Sequence, residues 1–182
     1  MARHLRSALA VALVTAMTIA DVLAQETQAA PGRAAIVTAA RDIIGKARYA
    51  TFVTVDRDGQ PQARIVDPVA PEDDWSIWVS TNARSRKVAQ LEANPRGTLL
   101  YFDAARESYA ALAGAARLVR DPAEKAKRWR EEWKPFYKNG HRDEDFLLIR
   151  VEPQRLEISS PALGMNNDPV TWRPVTLDLR QP

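Results

Sequence analysis

Apolar positions along this chain change period several times, and each change marks an element. From Ala34 to Lys46 they recur as Ile36, Val37, Ala40, Ile43 and Ile44, the spacing of one helix face. Between Tyr49 and Val55 the pattern shortens to alternation with β-branched and aromatic residues. Arg57-Asp58-Gly59-Gln60 supplies turn chemistry and Pro61 to Val66 resumes the alternation, so the stretch predicts a β-hairpin. After an acidic loop, Pro71 to Asp74, the apolar run Trp75 to Val79 predicts a third strand, followed by polar Ser80, Thr81 and Asn82. Ser85 is a good N-cap for a helix with Val88 and Leu91 on its apolar edge, and Asn94-Pro95 closes it.

Gly97 to Phe102 reads as a strand, and Tyr109 to Val119 as another whose residues are unusually small: Ala110, Ala111, Ala113, Gly114, Ala115 and Ala116. Such a strand fills little core by itself. It predicts the approach of something large, a partner subunit or a flat ligand, or else a tight turn or close sheet packing. Asp121, Pro122 and Glu124 form an N-terminal helix signature, and the helix is expected to run to about Tyr137. Ala126, Trp129, Trp133 and Tyr137 fall on one face of it, a stripe that reads as core rather than as a cofactor box. Lys138-Asn139-Gly140 ends the helix. Phe146 to Val151 and Arg155 to Ile158 predict two strands broken at Pro153, with Val175 to Leu179 as a last one. Hairpin signals outnumber strand-helix alternations, which points to a small β-barrel with peripheral helices rather than a parallel doubly wound sheet.

Composition leaves this picture intact at one ordinary domain: 182 residues, 46% hydrophobic and 27% charged. The first segment stands apart. Arg3 and Arg6 precede an apolar run from Ala8 to Ala20, then small residues up to Ala24, the pattern of a cleaved secretory signal over residues 1–24. Residues 25–32 then form a flexible leader and 33–182 the folded domain. The expectation is an exported protein, periplasmic or secreted, with no stable membrane span after cleavage; a retained N-terminal anchor is the alternative. No adjacent arginine pair occurs near the start, so export in the unfolded state is expected, and any cofactor would be acquired afterwards. There is no cysteine, which removes disulfides, thiolate nucleophiles and cysteine-based metal sites. The net charge of +3 is a mild bias with acids interleaved through every basic region, not a nucleic-acid footprint.

Few reactive groups remain. After the signal the only histidine is His141, and G-x-S-x-G, H-E-x-x-H, G-x-x-x-x-G-K and G-x-G-x-x-G are all missing from the sequence. No metal site is expected. The unusual feature is Arg86-Lys87, placed in a first helical turn where the macrodipole is already positive. Each cation there is unfavourable by roughly a few tenths of a kcal/mol unless an anion is present. With free backbone N–H groups and the hydroxyls of Ser80 and Thr81, they make either a cradle for a phosphomonoester or a solvated basic helix start. Arg64, interrupting an otherwise apolar strand, either pairs with Asp67 or Asp56 or reaches the same anion.

The series P-Q-A-R-I-V, W-V-S-T-N, S-R-K and L-E-A-N-P before a strand resembles the FMN-binding split barrel of the pyridoxamine 5′-phosphate oxidase superfamily, with the general stress protein 26 type branch the closer likeness. The likeness covers roughly residues 34–158. It implies a mainly β fold with peripheral helices (α+β), a six- to seven-stranded antiparallel split β-barrel, and a homodimer with FMN at the interface. By that carry-over Arg64, Arg86 and Lys87 hold the phosphate, Ser80 and Thr81 add donors, and the backbone of Ile65 and Val66 runs beside the isoalloxazine. Trp172 either stacks on the flavin or is an ordinary packing tryptophan. The tail reads NDPVTWRPVTLDL and lacks the R-x-H that true pyridoxamine 5′-phosphate oxidases use on their substrate, so vitamin B6 oxidation is not expected. The resemblance implies an FMN-dependent oxidoreductase moving hydride or electrons between a small-molecule donor and acceptor, with no catalytic side chain identifiable. The alternatives are a non-catalytic flavin-binding, storage or stress-related module, or a degenerate barrel whose basic residues make only salt bridges and dimer contacts.

Overall fold

In the computed structural model, which describes residues 30–181, the first element is helix α1 (Arg33–Lys46), whose Ile36, Ala39, Ala40, Ile43 and Ile44 are buried. The hairpin follows as β1 (Ala50–Val55) and β2 (Pro61–Val66), in register from Ala50 opposite Val66 to Val55 opposite Pro61. Next come β3 (Ile77–Asn82), α2 (Arg86–Ala93), β4 (Arg96–Asp103), β5 (Ser108–Val119), α3 (Pro122–Lys127), β6 (Phe146–Ser159) and β7 (Val175–Asp178). Every pairing is antiparallel, in the order β2-β1-β4-β5-β6-β3, with β7 also on β6. One edge of β6 is thus shared, its first half pairing β3 and its second half β7. The sheet curls into a half-barrel with short peripheral helices, the α+β split-barrel architecture that the sequence motifs imply.

Side chains alternate across this sheet. Phe52, Leu99, Tyr101, Leu112, Leu156 and Ile158 point inward with α1 and form the main core. A second cluster joins Trp78, Trp133, Tyr137, Phe146 and Leu148. Trp133 and Tyr137 are thus core, with Trp129 packed against them, although the helix whose spacing suggested this does not reach them.

Three elements differ from expectation. Trp75 lies outside the third strand: it has a left-handed backbone (φ 67) and closes a turn by donating its N–H to the Glu72 carbonyl at 3.0 Å. The strand begins at Ile77 and continues through Ser80, Thr81 and Asn82, because β6 offers Leu148, Leu147 and Phe146 as ladder partners for these polar residues. The helix after Asp121 is capped as predicted, the carboxylate accepting from Glu124 N at 2.9 Å, but it stops at Lys127 instead of Tyr137. Arg128 is drawn to Glu72 and lies 4.1 Å over the Trp78 ring, Arg130 is extended, and Pro135 bars any helix through that point. Finally, Pro153 does not break the chain into two strands. β6 is continuous over 14 residues, with a register shift opposite Ala113 and Gly114 that accommodates a residue without an N–H.

That shift explains the glycine of β5. A Cβ on Gly114 would stand 2.1 Å from the Glu152 carbonyl oxygen and 2.7 Å from Pro153 Cα, so at this point the close approach is made by the chain's own neighbouring strand. The expected signal and most of the leader lie outside the described residues. Among the described residues, no helix is long and apolar enough to cross a membrane.

Candidate functional site

Arg64 lies on the inward-facing side of β2, opposite Phe52. Its Nη1 donates to the Phe52 carbonyl at 3.1 Å and to Thr54 Oγ1 at 2.6 Å, and its Nη2 donates to Gln90 Oε1 at 2.9 Å. Gln90 comes from α2 and also accepts from Thr54 Oγ1 at 2.6 Å, so a buried network ties the hairpin to the helix that carries Arg86 and Lys87. Every one of these acceptors is neutral. The carboxylates that sequence offered to Arg64 are used elsewhere: Asp67 faces Arg48 at 3.5 Å, and Asp56 accepts from Asp58 N, Gln60 N and Gln62 Nε2 within its own turn.

α2 begins beside this network. Ser85 occupies the N-cap position, but its side chain does not cap the helix. Instead its Oγ meets Thr81 Oγ1 at 3.0 Å and accepts from Lys87 Nζ at 3.3 Å. The first backbone N–H groups of the helix are left without a side-chain acceptor, in the manner of a helix end that receives an anion. Burial, and then the charge of Arg86, lowers the Arg64 pKa; burial, and then Arg64, lowers that of Lys87. The three cations thus share one locality and repel one another. Among the described residues none of the three has a carboxylate within ion-pair distance, whereas Arg84, one turn away, pairs with Asp145 at 3.0 Å. A phosphate dianion fits that arrangement: it supplies the missing negative charge, and Arg64 retains unused N–H donors for it.

Not all residues singled out from sequence meet here. Arg64, Thr81, Arg86 and Lys87 come together. Ser80 does not bring its hydroxyl to them: it shares a face of β3 with Trp78, opposite Thr81, and interacts with Tyr137, whose phenol burial pushes up to about 12. Ile65 is 66% exposed on the outer face, Val66 is buried, and both lie on the edge strand, where alternate backbone groups have no strand partner. Trp172 is no packing tryptophan among the described residues. It is 78% exposed, at φ 59, in a turn closed by its own N–H to the Asp168 carbonyl at 2.8 Å. Sequence reasoning missed Thr54, Ser85 as a hydroxyl group, and Gln90. The available signals were a hydroxyl in register with the core-facing Ala50 and Phe52, and an amide three residues after Lys87 on the same helix face.

The model of the pyridoxamine 5′-phosphate oxidase family matches residues 36–160, most of the described chain and all the residues of this cluster. The chain belongs to that family. Over 52 residues it is 48% identical to the pyridoxine/pyridoxamine 5′-phosphate oxidase of Bordetella pertussis, a match covering 29% of this chain and 24% of the relative's length. Among solved structures it resembles a protein of Clostridium acetobutylicum related to general stress protein 26 of the pyridoxinephosphate oxidase family (TM-score 0.68, 16% identity, 82% of this chain and 98% of the other). General stress protein 26 of Bacillus anthracis aligns with a TM-score of 0.60 and 22% identity over 76% of this chain and 95% of its own. At such identities these two structures establish the shared fold. Together with the family match they place the chain in the split-barrel flavoprotein superfamily.

Proposed function

We propose that this family member binds FMN through its phosphate at the Arg64, Arg86 and Lys87 cluster and serves as an oxidoreductase, passing hydride or electrons between a small-molecule donor and acceptor. The observation that carries the reading is the convergence, at the start of a helix whose N-cap side chain does not cap it, of three cations with no carboxylate in ion-pair reach among the described residues, within the span that the family model matches. Bound FMN supplies the redox chemistry; this chain's residues supply charge, orientation and a strand edge. The outer sheet face, where Ile65 and Phe102 are 66% and 56% exposed and register sets Leu100 in the same layer, is the surface for a second copy of the chain. The signal-like residues 1–24 support export, with flavin loaded afterwards.

The test is titration of the purified protein with FMN and with riboflavin, which lacks the phosphate. Each charged hydrogen bond is worth about 1.5–3 kcal/mol. Arg86→Ala and Lys87→Ala are therefore each expected to weaken FMN by roughly ten- to a hundredfold and to leave riboflavin unchanged. Absence of FMN binding by the wild-type protein, or equal losses for both flavins, overturns the proposal.

A second reading, a flavin-binding module without turnover, draws on one feature: the cluster's side chains are Arg, Lys, Thr, Ser and Gln, with neither a carboxylate nor an imidazole to move a proton. Stopped-flow reduction of the loaded protein by nicotinamide or deazaflavin donors separates the two, since the module remains oxidised.

A further inference from the structure

Arg64 has five N–H donors, and three are already committed to neutral acceptors: the Phe52 carbonyl, Thr54 Oγ1 and Gln90 Oε1. The donors left over are Nε–H and one on Nη2. Gln90 Oε1 is saturated in turn, accepting both Arg64 Nη2 and Thr54 Oγ1, and Gln90 and Thr54 are 8% and 0% exposed. The guanidinium is therefore held in one orientation by a buried amide and a buried hydroxyl, with its full charge retained. A carboxylate in place of the Gln90 amide would hold the same geometry but would neutralise the cation.

We infer that Gln90, with Thr54, is a positioning residue of the anion site: it orients Arg64 without discharging it, so that the guanidinium is presented to a phosphomonoester. The inference rests on the FMN reading and goes beyond it, because neither residue is among those that the family motif points to. The design is a matter of charge as well as shape. An arginine neutralised by an acid would lose its attraction for the ligand, and an arginine without restraint would lose conformational freedom on binding. Ser85 has the equivalent place beside Lys87, accepting from Nζ through a neutral hydroxyl.

Gln90→Glu, Thr54→Val and Thr54→Ser test the assignment, read by the ratio of FMN to riboflavin affinity and by thermal melting. Gln90→Glu keeps an acceptor for Arg64 and for Thr54. It is expected to melt no lower than the wild-type protein while its FMN affinity falls at least about tenfold, with riboflavin affinity unchanged. Thr54→Val is expected to reduce the ratio and Thr54→Ser to restore it. A merely structural role would move both flavins together and follow the melting temperature. Wild-type FMN binding with an unchanged ratio in Gln90→Glu overturns the assignment alone. Absence of FMN binding by the wild-type protein overturns the flavin reading and this assignment with it.

Discussion

Lys87 is a base held in an uncongenial place. Its pKa is depressed below the ordinary 10.5 by burial and then by Arg64, so its charged form is less favoured in the empty folded protein than in the unfolded chain, and an arriving anion opposes that depression. The sign follows from linkage. Between the depressed value and 10.5 the unfolded chain binds more protons than the empty folded one, and stability of the empty protein rises with pH across that window. Anion affinity runs the other way, because deprotonation removes the cation. FMN affinity, taken relative to riboflavin, is expected to be level near neutrality and to fall at an alkaline pH below 10.5, and Lys87→Arg is expected to abolish that fall. Isothermal titration across a pH series checks it. At this scale Arg86, Lys87 and Arg64 were legible because each violates a local rule: cations at a positive helix end, and a charge in an apolar strand. Thr54 and Gln90 violate none. Their roles exist only because residues 36 positions apart in sequence meet when the hairpin closes on α2.

Among elements, β5 and β6 carry the lesson. The small residues of β5 suggested a large visitor, and Pro153 suggested a broken strand. The glycine and the continuity through Pro153 both follow from a single bulge, where Gly114 lets the Glu152–Pro153 backbone approach. Adding even a methyl group must move backbone, not a flexible side chain. Gly114→Ala is expected to destabilise the fold by about 1–3 kcal/mol, which equilibrium urea unfolding measures; an unchanged midpoint would mean that the bulge yields freely. α3 shows the opposite limit. Its cap was readable because Asp121, Pro122 and Glu124 act locally, while its end was not. The end is decided by Glu72 and Trp78, which hold Arg128 from strand β3 and the loop before it.

For the whole molecule, the sheet has one face filled by α1 and the core and another that leaves Ile65 and Phe102 largely in solvent. A cavity of about 730 Å³ opens along that outer side, lined by Val53, Val55, Thr98, Ala113 and Arg155 among others. An apolar layer of this kind is expected to be covered by a second chain. The double change Ile65→Asp and Phe102→Asp is expected to convert a dimer to a monomer in sedimentation equilibrium without loss of the far-ultraviolet spectrum. A wild-type monomer at micromolar concentration would remove the dimer from the proposal.

By itself the sequence determined the period of most elements, the Asp121 cap, the antiparallel class of the sheet and the presence of three misplaced cations. All of these depend on interactions spanning a few residues, whose geometry the chain carries with it. Only the tertiary structure decided that the cations converge, that their acceptors are neutral, that Ser80 turns away to Tyr137 and that Trp172 stands in solvent. Those outcomes depend on which distant strands pair and in what register. A shift of one residue in that register would reverse every face of the sheet.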